Sequence, residues 1–301
     1  MHTEEVQLLT NEGWDERILV CQNGDLVKTF IVITARFVVL VDTMINATTG
    51  AKLLEIARPH LNGRQLLVVN THADYDHVWG NQVFAGPEAL QPAPIIGSRF
   101  CIDQFNAPNS QAFIQQMMAE EPDAFGDLRP APPNVLFDER LVIDGGDLTL
   151  ELFATPGHTP DHVAIYIPEI KTLLAADAAE VPFPFARTID GLPQMRQSLA
   201  QMAALNPTTV LYCHAPTTIG PQLLHDNIAY FDKVEAACRA ALARGVPADA
   251  GEDEDVAALV GLSYDEAVPS GEHWQNVHED YRTGGHEMQI RTMLEYVSLL
   301  E

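Results

Sequence analysis

The chain has 301 residues, 47% of them hydrophobic, which is enough for one large core or two modest ones. Its formal net charge of −25 opposes binding to nucleic acid or to an anionic membrane, so the expected partner is a small-molecule substrate. The acidic N-terminus, the four widely spaced cysteines and the lack of an apolar run of about 20 residues favour a cytoplasmic protein.

Short β-branched runs dominate the first third of the chain and predict consecutive strands. Three such runs, RILVCQ, TFIVIT and FVVLVDT, are separated by turn signals that include Asn23-Gly24. Helical spacing follows over residues 51–61, and RQLLVVNTH at residues 64–72 is typical of a buried strand. The segment after that strand is therefore expected to lie on a loop held by a rigid sheet.

The middle of the chain continues with strands and helices. A strand is predicted at 93–98, helical structure at 99–121, and a hairpin about Gly145-Gly146. The elements predicted after the hairpin are strands at 162–169, 172–178 and 208–214 and helices at 192–204 and 219–244.

Beyond residue 245 the sequence shows only helical patterns, at 253–261 and 271–299. We therefore predict a domain over residues 1–245 and a C-terminal helical extension over 246–301. The extension is expected to pack on the core, because it is too short to form a strong core of its own. Both halves of the domain show strands followed by a helix, which predicts an α/β fold of two facing sheets with helices outside, a four-layer αββα sandwich.

The segment NTHADYDHVWGN, at residues 70–81, carries the densest group of candidate metal ligands. His72, Asp74, Asp76 and His77 lie within six residues, directly after a predicted strand. A solvated acidic loop is the alternative interpretation. A metal site is favoured, because a cluster of buried charges is costly without a compensating ion. Three further residues of the same types end or follow strands: His158, Asp177 and His214.

This ordered set resembles the metallo-β-lactamase superfamily. The signature of that family is a strand, T-H-x-H-x-D-H-x-x-G-N, a distant P-G-H-T, an Asp at a strand end and a final His. The matching residues here are Thr71, His72, Asp76, His77, Gly80, Asn81, Pro156, Gly157, His158, Thr159, Asp177 and His214. Asp42, at the end of an early strand, resembles a family residue that supports the site from behind the ligands.

The resemblance implies two divalent metal ions. One would be bound by His72, Asp74 and His158 and the other by Asp76, His77 and His214, with Asp177 and a water bridging them. Asp74 is the departure, since the family most often has His there. Zinc stays the first expectation, because the oxygen of Asp is an ordinary zinc ligand. The extra negative charge of Asp74 makes iron or manganese more credible than in an all-histidine site.

The resemblance also implies the chemistry. A dinuclear metal-dependent hydrolase would attack an ester, thioester, lactone or phosphoester bond with hydroxide, which metal binding makes available near neutral pH. Asp76 is the candidate catalytic residue that moves a proton to the leaving group. The alternatives are a diiron-type redox protein on the same fold, since flavodiiron proteins have a carboxylate at the Asp74 position, and a non-catalytic metal-binding protein. The latter is expected to lose ligands, and only one of seven is altered here. Assembly into a homo-oligomer stays open.

Three further residues lie near the predicted ligands in the sequence. His162 is expected to support the site or the fold rather than bind metal, and Cys213 to pack in its strand. Arg187, in the segment FPFAR, either meets a substrate anion or lies in an ordinary proline-rich loop.

The extension carries an apolar stripe at Trp274, Val277 and Tyr281, whose spacing favours packing against the core. The alternative is a lid over the metal site, formed by the histidines of this segment, which are His273, His278 and His286.

Overall fold

Two compact units make up the chain in the computed structural model, which describes residues 2–251 and 254–300. The first unit consists of Met1–Ala154 and Asp161–Ala176, and the second of Thr155–Pro160 and Asp177–Glu301. Within the described ranges, no helix is both long and apolar enough to cross a membrane.

A seven-stranded sheet forms the centre of the first unit. Its strands are β1 (Val6–Leu8), β2 (Ile18–Asn23), β3 (Val27–Ile33), β4 (Phe37–Val41), β5 (Gln65–Val69), β6 (Ile95–Ser98) and β7 (Val135–Phe137). They lie side by side in chain order, antiparallel from β1 to β4 and parallel from β4 to β7. The parallel half directs the carboxyl ends of β4 and β5 to the same edge, and both strands end where the predicted site residues begin.

The α-helices described in the first unit are α1 (Ala47–Leu61), α2 (Tyr75–Val78), α3 (Arg99–Asn106), α4 (Pro108–Glu120) and α5 (Pro122–Phe125). Helix α1 begins at Ala47, earlier than the predicted position 51, because Asn46 and Thr49 form a capping box at its start. Leu53 of α1 is buried in a core cluster with Leu40 and Val68 of the sheet.

The helical stretch predicted at 99–121 is divided into α3 and α4. The break falls at Ala107, whose backbone is extended with ψ 136°, directly before Pro108. Proline disfavours a helical conformation in the preceding residue, so α3 ends there and Pro108 starts a new helix at its first position.

Strands β8 (Arg140–Asp144), β9 (Thr149–Ala154), β10 (Val163–Ile167) and β11 (Thr172–Ala176) are antiparallel neighbours in a second sheet. The β8–β9 hairpin turns at the predicted glycine pair, and Gly146 has a φ of 93°, which an L-residue rarely adopts. Strands β1 and β7 have three residues each and had not been predicted, because so short a run carries no readable alternation.

The second unit is largely helical. Its elements are α6 (Gly191–Ala204), β12 (Thr209–Tyr212), α7 (Gln222–Ala243), α8 (Val256–Val260), α9 (Tyr264–Ala267), α10 (Glu272–Gln275) and α11 (His286–Ser298). Helix α11 packs against α7, where the Cys238 thiol donates to the carbonyl oxygen of Ile290 at 3.8 Å. Met293 and Leu294 of α11 are fully buried.

The extension at 246–301 is helical but more broken than its pattern predicts. Residue 253, the first of the predicted helix 253–261, lies outside the described residues, and the remainder contains α8. The predicted helix 271–299 is interrupted between α10 and a single π-helical turn at Tyr281–Gly285. Trp274 is buried, whereas Tyr281 remains 38% exposed, so the proposed apolar stripe is only partly covered.

Candidate metal centre

The four candidate ligands of the HADYDH segment lie between β5 and α2. The chain leaves β5 at Val69 and enters α2 at Tyr75, so His72 and Asp74 precede the helix while Asp76 and His77 belong to it. The side chains of His72 and His77 are fully buried, and that of Asp74 is 24% exposed. The four candidate ligands are therefore brought together where the chain passes from strand through loop to helix. The alternation of side chains along an extended backbone does not suffice by itself.

Imidazole nitrogens and carboxylate oxygens converge in this segment. The Nε2 atom of His72 is 3.5 Å from Oδ2 of Asp74, and Nε2 of His77 is 3.6 Å from Oδ2 of Asp76. The two imidazole rings are 4.1 Å apart between centroids. Two nitrogen donors and two carboxylates in a mostly buried position form a donor set that suits a divalent transition-metal ion.

Asp42 and Thr71 set the tautomer that each of the two histidines adopts as a neutral ring. Its carboxylate accepts hydrogen bonds from the Thr71 backbone N–H at 2.8 Å and the Thr71 hydroxyl at 2.7 Å, and it lies 2.8 Å from Nδ1 of His77. A carboxylate can only accept, so His77 carries its proton on Nδ1 and keeps the Nε2 lone pair for a metal.

The hydroxyl of Thr71 sets the tautomer of the second histidine, His72, in the same way. Its hydroxyl oxygen is 3.0 Å from Nδ1 of His72, and its only proton is directed to Asp42. The hydroxyl must therefore accept from Nδ1–H of His72, which leaves the Nε2 lone pair of that ring for a metal as well. Asp42 itself has a φ of 67°, a costly conformation for a residue with a side chain.

The glycine and asparagine that follow the ligands are packing residues. A Cβ at Gly80 would collide with the carbonyl oxygen of Thr43, directly after Asp42. The buried amide of Asn81 accepts from the Thr43 hydroxyl at 2.9 Å and donates to the side chain of Asn70 at 2.8 Å. These contacts fasten the end of the motif to the loops after β4 and β5, and so hold its candidate ligands in position.

The second unit brings together the other three candidate ligands. His158 lies in the short Thr155–Pro160 segment, Asp177 directly follows β11, and His214 follows β12. The Oδ2 atom of Asp177 is 3.3 Å from Nε2 of His214 and 3.8 Å from Nε2 of His158. A carboxylate between two imidazole nitrogens is a suitable geometry for a ligand that bridges two ions.

Glu180 is a residue of this group that the sequence pattern had not indicated. It is buried, and Asp177, Glu180 and His214 each place one donor atom within 4.8 Å of the others. Burial, reinforced by the neighbouring Asp177 carboxylate, raises the pKa of Glu180 to about 7. An acidic residue inside the apolar run around Asp177 is the signal that could have identified it.

Arg187 also belongs to this group. Its Nη2 atom is 3.1 Å from Nε2 of His158, although the side chain lies at the protein surface. This contact places Arg187 beside a candidate ligand, and both interpretations, a residue that meets a substrate anion and a residue of an ordinary proline-rich loop, stay open.

The other histidines in question have different surroundings. His162 is fully buried, with its ring 4.9 Å from that of His72, which places it beside a ligand of the first unit. His286 is buried too, but in the second unit, where it contacts the Tyr230 hydroxyl and the carbonyl oxygen of Leu262. His273 and His278 lie at the surface. The described contacts of His286 are those of a packed histidine.

Sequence comparison supports the family resemblance. The profile described as the metallo-beta-lactamase superfamily matches residues 23–214, which is more than half of the chain. Among curated proteins, a hydroxyacylglutathione hydrolase from Hahella chejuensis is 28% identical over 204 residues, covering 65% of this chain and 66% of the relative. Another, from Maricaulis maris, is 29% identical over 145 residues, covering 48% and 45%. Both alignments span less than two thirds of the relative's own length.

Solved structures with the same fold are more distant in sequence. A metallo-beta-lactamase family protein from Thermus thermophilus has a TM-score of 0.60 at 18% identity, covering 98% of this chain and 93% of that one. A stereoselective inverting sec-alkylsulfatase from Pseudomonas sp. has a TM-score of 0.63 at 17% identity, covering 93% and 49%. At these identities the likeness establishes the α/β fold and leaves the substrate to other arguments. The profile match over residues 23–214, on a chain that folds in this way, makes the protein a member of the metallo-β-lactamase superfamily.

Proposed function

We propose that the chain is a dinuclear metal-dependent hydrolase that cleaves the thioester or ester bond of a small molecule. The observation that carries the proposal is the Asp42–Thr71 arrangement, which directs the Nε2 lone pairs of two buried histidines towards carboxylates. Membership of the superfamily and the hydrolase names of the matched relatives support the same class of reaction. A thioester is the first choice within that class, because in those names the acyl group is joined to glutathione, a thiol.

The proposed ligand sets follow the order of the family motif. His72, Asp74 and His158 would hold one ion, and Asp76, His77 and His214 the other, with Asp177 shared between them. Three carboxylates bring three negative charges against the four positive charges of two divalent ions, so one further anion would neutralise the centre. Zinc suits this mixture of imidazole and carboxylate donors best. The oxygen donor of Asp74 also suits iron or manganese.

Bound divalent ions would supply an acidified water and polarise the scissile carbonyl. The reaction adds one water to the acyl carbon, breaks the carbon–sulfur bond, and releases a carboxylic acid and a thiol. Asp76 is the proposed proton carrier, at its carboxylate oxygens, between the attacking water and the departing sulfur. Asp42 would keep His77 in the required tautomer through its contact with Nδ1 of that ring.

Metal analysis combined with a substrate panel tests this function. Protein freed of metal with a chelator would be reloaded with zinc, manganese or iron(II) and assayed on S-lactoylglutathione, 4-nitrophenyl acetate, a lactone and bis(4-nitrophenyl) phosphate. We expect metal-dependent cleavage of the thioester or the ester, lost in His77→Ala and kept in His225→Ala, which alters an exposed histidine of α7. Two bound irons with no hydrolysis of any of the four compounds would favour the redox alternative instead.

A further inference from the structure

Strand β8 of the first unit lies at an edge of its sheet. Among the described residues, β9 is the strand with which it pairs, and no strand follows it in the order of the sheet. It has five residues, whereas β1 and β7, the edge strands of the seven-stranded sheet, have three each. An edge strand of this length can pair with a strand of another chain, because its outward backbone groups have no neighbouring strand.

Two backbone hydrogen bonds show which residues of β8 face outward. The Gly145 N–H donates to the carbonyl oxygen of Leu148, and the Ala154 N–H donates to that of Glu139, both at 2.9 Å. Residues 139 and 145 therefore direct their backbone groups towards β9. Since this direction alternates along an antiparallel strand, the residues that direct their N–H and C=O groups away from β9 are Arg140, Val142 and Asp144.

The side chains of the same three residues are exposed and have a symmetric order of charge. Val142 is 60% exposed, and Arg140 and Asp144 lie two residues before and after it. Charges on an edge strand ordinarily discourage pairing. Here they have opposite signs and are equidistant from Val142. Antiparallel pairing of two copies about a two-fold axis at Val142 would therefore place Arg140 of each copy opposite Asp144 of the other.

We propose that two copies of this chain form a symmetric dimer by pairing their β8 strands, with Val142 at the two-fold axis. The outward N–H and C=O groups of Val142 would bond to those of its counterpart, and each Arg140 would pair with Asp144 of the other copy in the same way. The net charge of −25 opposes contact between two copies over most of the surface. This edge carries balanced charges that attract, and the inference does not depend on the proposed hydrolase activity.

Arg36 lies at one end of this edge and leaves room for the pairing. Its Nη1 donates to Oδ2 of Asp144 at 2.6 Å and to the Asp144 carbonyl oxygen at 3.2 Å. A carbonyl oxygen has a second lone pair, and a carboxylate has several, so both groups of Asp144 can accept further bonds. The side chains of Arg36 and Asp144 are 57% and 68% exposed, so their ion pair is a weak one.

Charge reversal tests the facing pairs on the full-length, metal-loaded protein. Sedimentation velocity should show wild type passing from monomer to dimer as its concentration rises. Arg140→Glu and Asp144→Arg each place like charges opposite one another, and each should raise the Kd of the dimer by about 10-fold or more. An equimolar mixture of the two variants should recover dimerisation, because every facing pair in the mixed dimer again has opposite charges. Arg58→Glu, at an exposed position of α1, is the control and should dimerise like wild type.

A cysteine at the two-fold axis tests the register. Two residues that face each other in a hydrogen-bonded antiparallel pair have Cα atoms about 5.5 Å apart, a distance that a disulfide spans. Val142→Cys should therefore form a covalent dimer under mild oxidation. Leu8→Cys is the control, since Leu8 is a 51% exposed residue of the edge strand β1 and should stay monomeric under the same conditions. The four native cysteines are buried and should not contribute.

The outcomes decide between this dimer and other uses of the edge. A wild type that stays monomeric at about 1 mM would overturn the proposal and leave the edge to an extended segment of a different protein. A dimer that neither charge reversal weakens, or two variants that do not recover it on mixing, would place the interface elsewhere and overturn the assignment to β8. Metal content equal to that of wild type in both charge variants, together with weakened dimerisation, supports the proposal because it excludes misfolding as the cause.

Discussion

The Nδ1 atom of His77 lies 2.8 Å from Oδ2 of Asp42, although 35 residues separate the two in the sequence. Both side chains are fully buried, and the same carboxylate also receives the backbone N–H and the hydroxyl of Thr71. One residue at the end of β4 thus determines which nitrogen of each motif histidine is available to a metal. The loop after β5 depends on this residue for its chemistry as well as for its position.

Asp42→Asn should weaken metal binding by about 10- to 100-fold, the scale of losses behind metal ligands. Three donors converge on the Asp42 carboxylate, and an amide offers them a single oxygen while adding an N–H that has to face a donor. Competition with a fluorescent chelator measures the change. Asp138→Asn is the control, since Asp138 is an exposed residue that pairs with Arg99. Unchanged metal affinity in Asp42→Asn would mean that the tautomer argument is wrong.

Asp74→Ala should remove a metal ligand and lower turnover by at least about 10-fold. Asp74→His should restore metal content and shift the preference from iron or manganese towards zinc, because imidazole is the softer donor. Elemental analysis after reloading with equimolar mixtures of the metals reads out both effects. Full metal content together with full turnover in Asp74→Ala would make this carboxylate a bystander.

Two metal ions per chain are expected at saturation. His77→Ala and His158→Ala should each reduce the stoichiometry towards one, because the two residues are assigned to different ions. Stepwise titration with zinc, monitored by calorimetry, separates the two binding events. His225→Ala serves as the surface control and should bind two ions like the wild type. A wild-type protein that saturates at one ion would contradict the dinuclear centre.

Met293→Ala should lower the free energy of unfolding by about 2–5 kcal/mol, since a fully buried side chain would be replaced by a cavity. Met288 of the same helix is 40% exposed, and its replacement by alanine should change stability by no more than about 0.5 kcal/mol. Urea unfolding of the two variants compares them directly. Equal, small effects would show that α11 adds little to the core of the second unit.

His286 should make the protein less stable in mild acid. Burial lowers its pKa below the ordinary value of 6.5, and the Leu262 carbonyl oxygen and Glu287 oppose this shift only in part. The ring also contacts the uncharged side chains of Tyr230, Tyr264 and Phe183. Below about pH 6.5 the unfolded chain takes up a proton that the folded chain resists, so stability falls as the pH decreases. Urea unfolding between pH 5.5 and 8 should show a shallower dependence in His286→Asn than in wild type. Parallel curves would contradict this assignment.

The sequence was most informative where side-chain periodicity and ligand spacing coincide. The strands that lead to Asp42 and His72 were predicted from β-branched runs, and the fold and family that their motifs predicted are confirmed. The comparisons also support a hydrolase, whereas the metal and its ligand sets stay predictions. Glu180 could not be identified in this way, because its position beside Asp177 and His214 arises only in the folded second unit.

Local geometry also limited what periodicity could predict. Pro108 is a sequence signal for a break in the helix. The helical pattern on both sides of it nevertheless predicted one continuous helix. The short helix α2 was not predicted, because its four residues, YDHV, carry too little periodicity to distinguish a helical turn from a loop.

Gly80 has a consequence for how such sites are compared and engineered. At Gly80, two residues beyond the end of α2, the chain lies so close to the carbonyl oxygen of Thr43 that no side chain fits between them. A homologue could keep the four candidate ligands of this segment and still lose their arrangement through one added methyl group at this close contact. Moving HADYDH to another strand–helix junction would likewise transfer the donor residues without their arrangement, unless a glycine with the same close backbone contact were transferred with them.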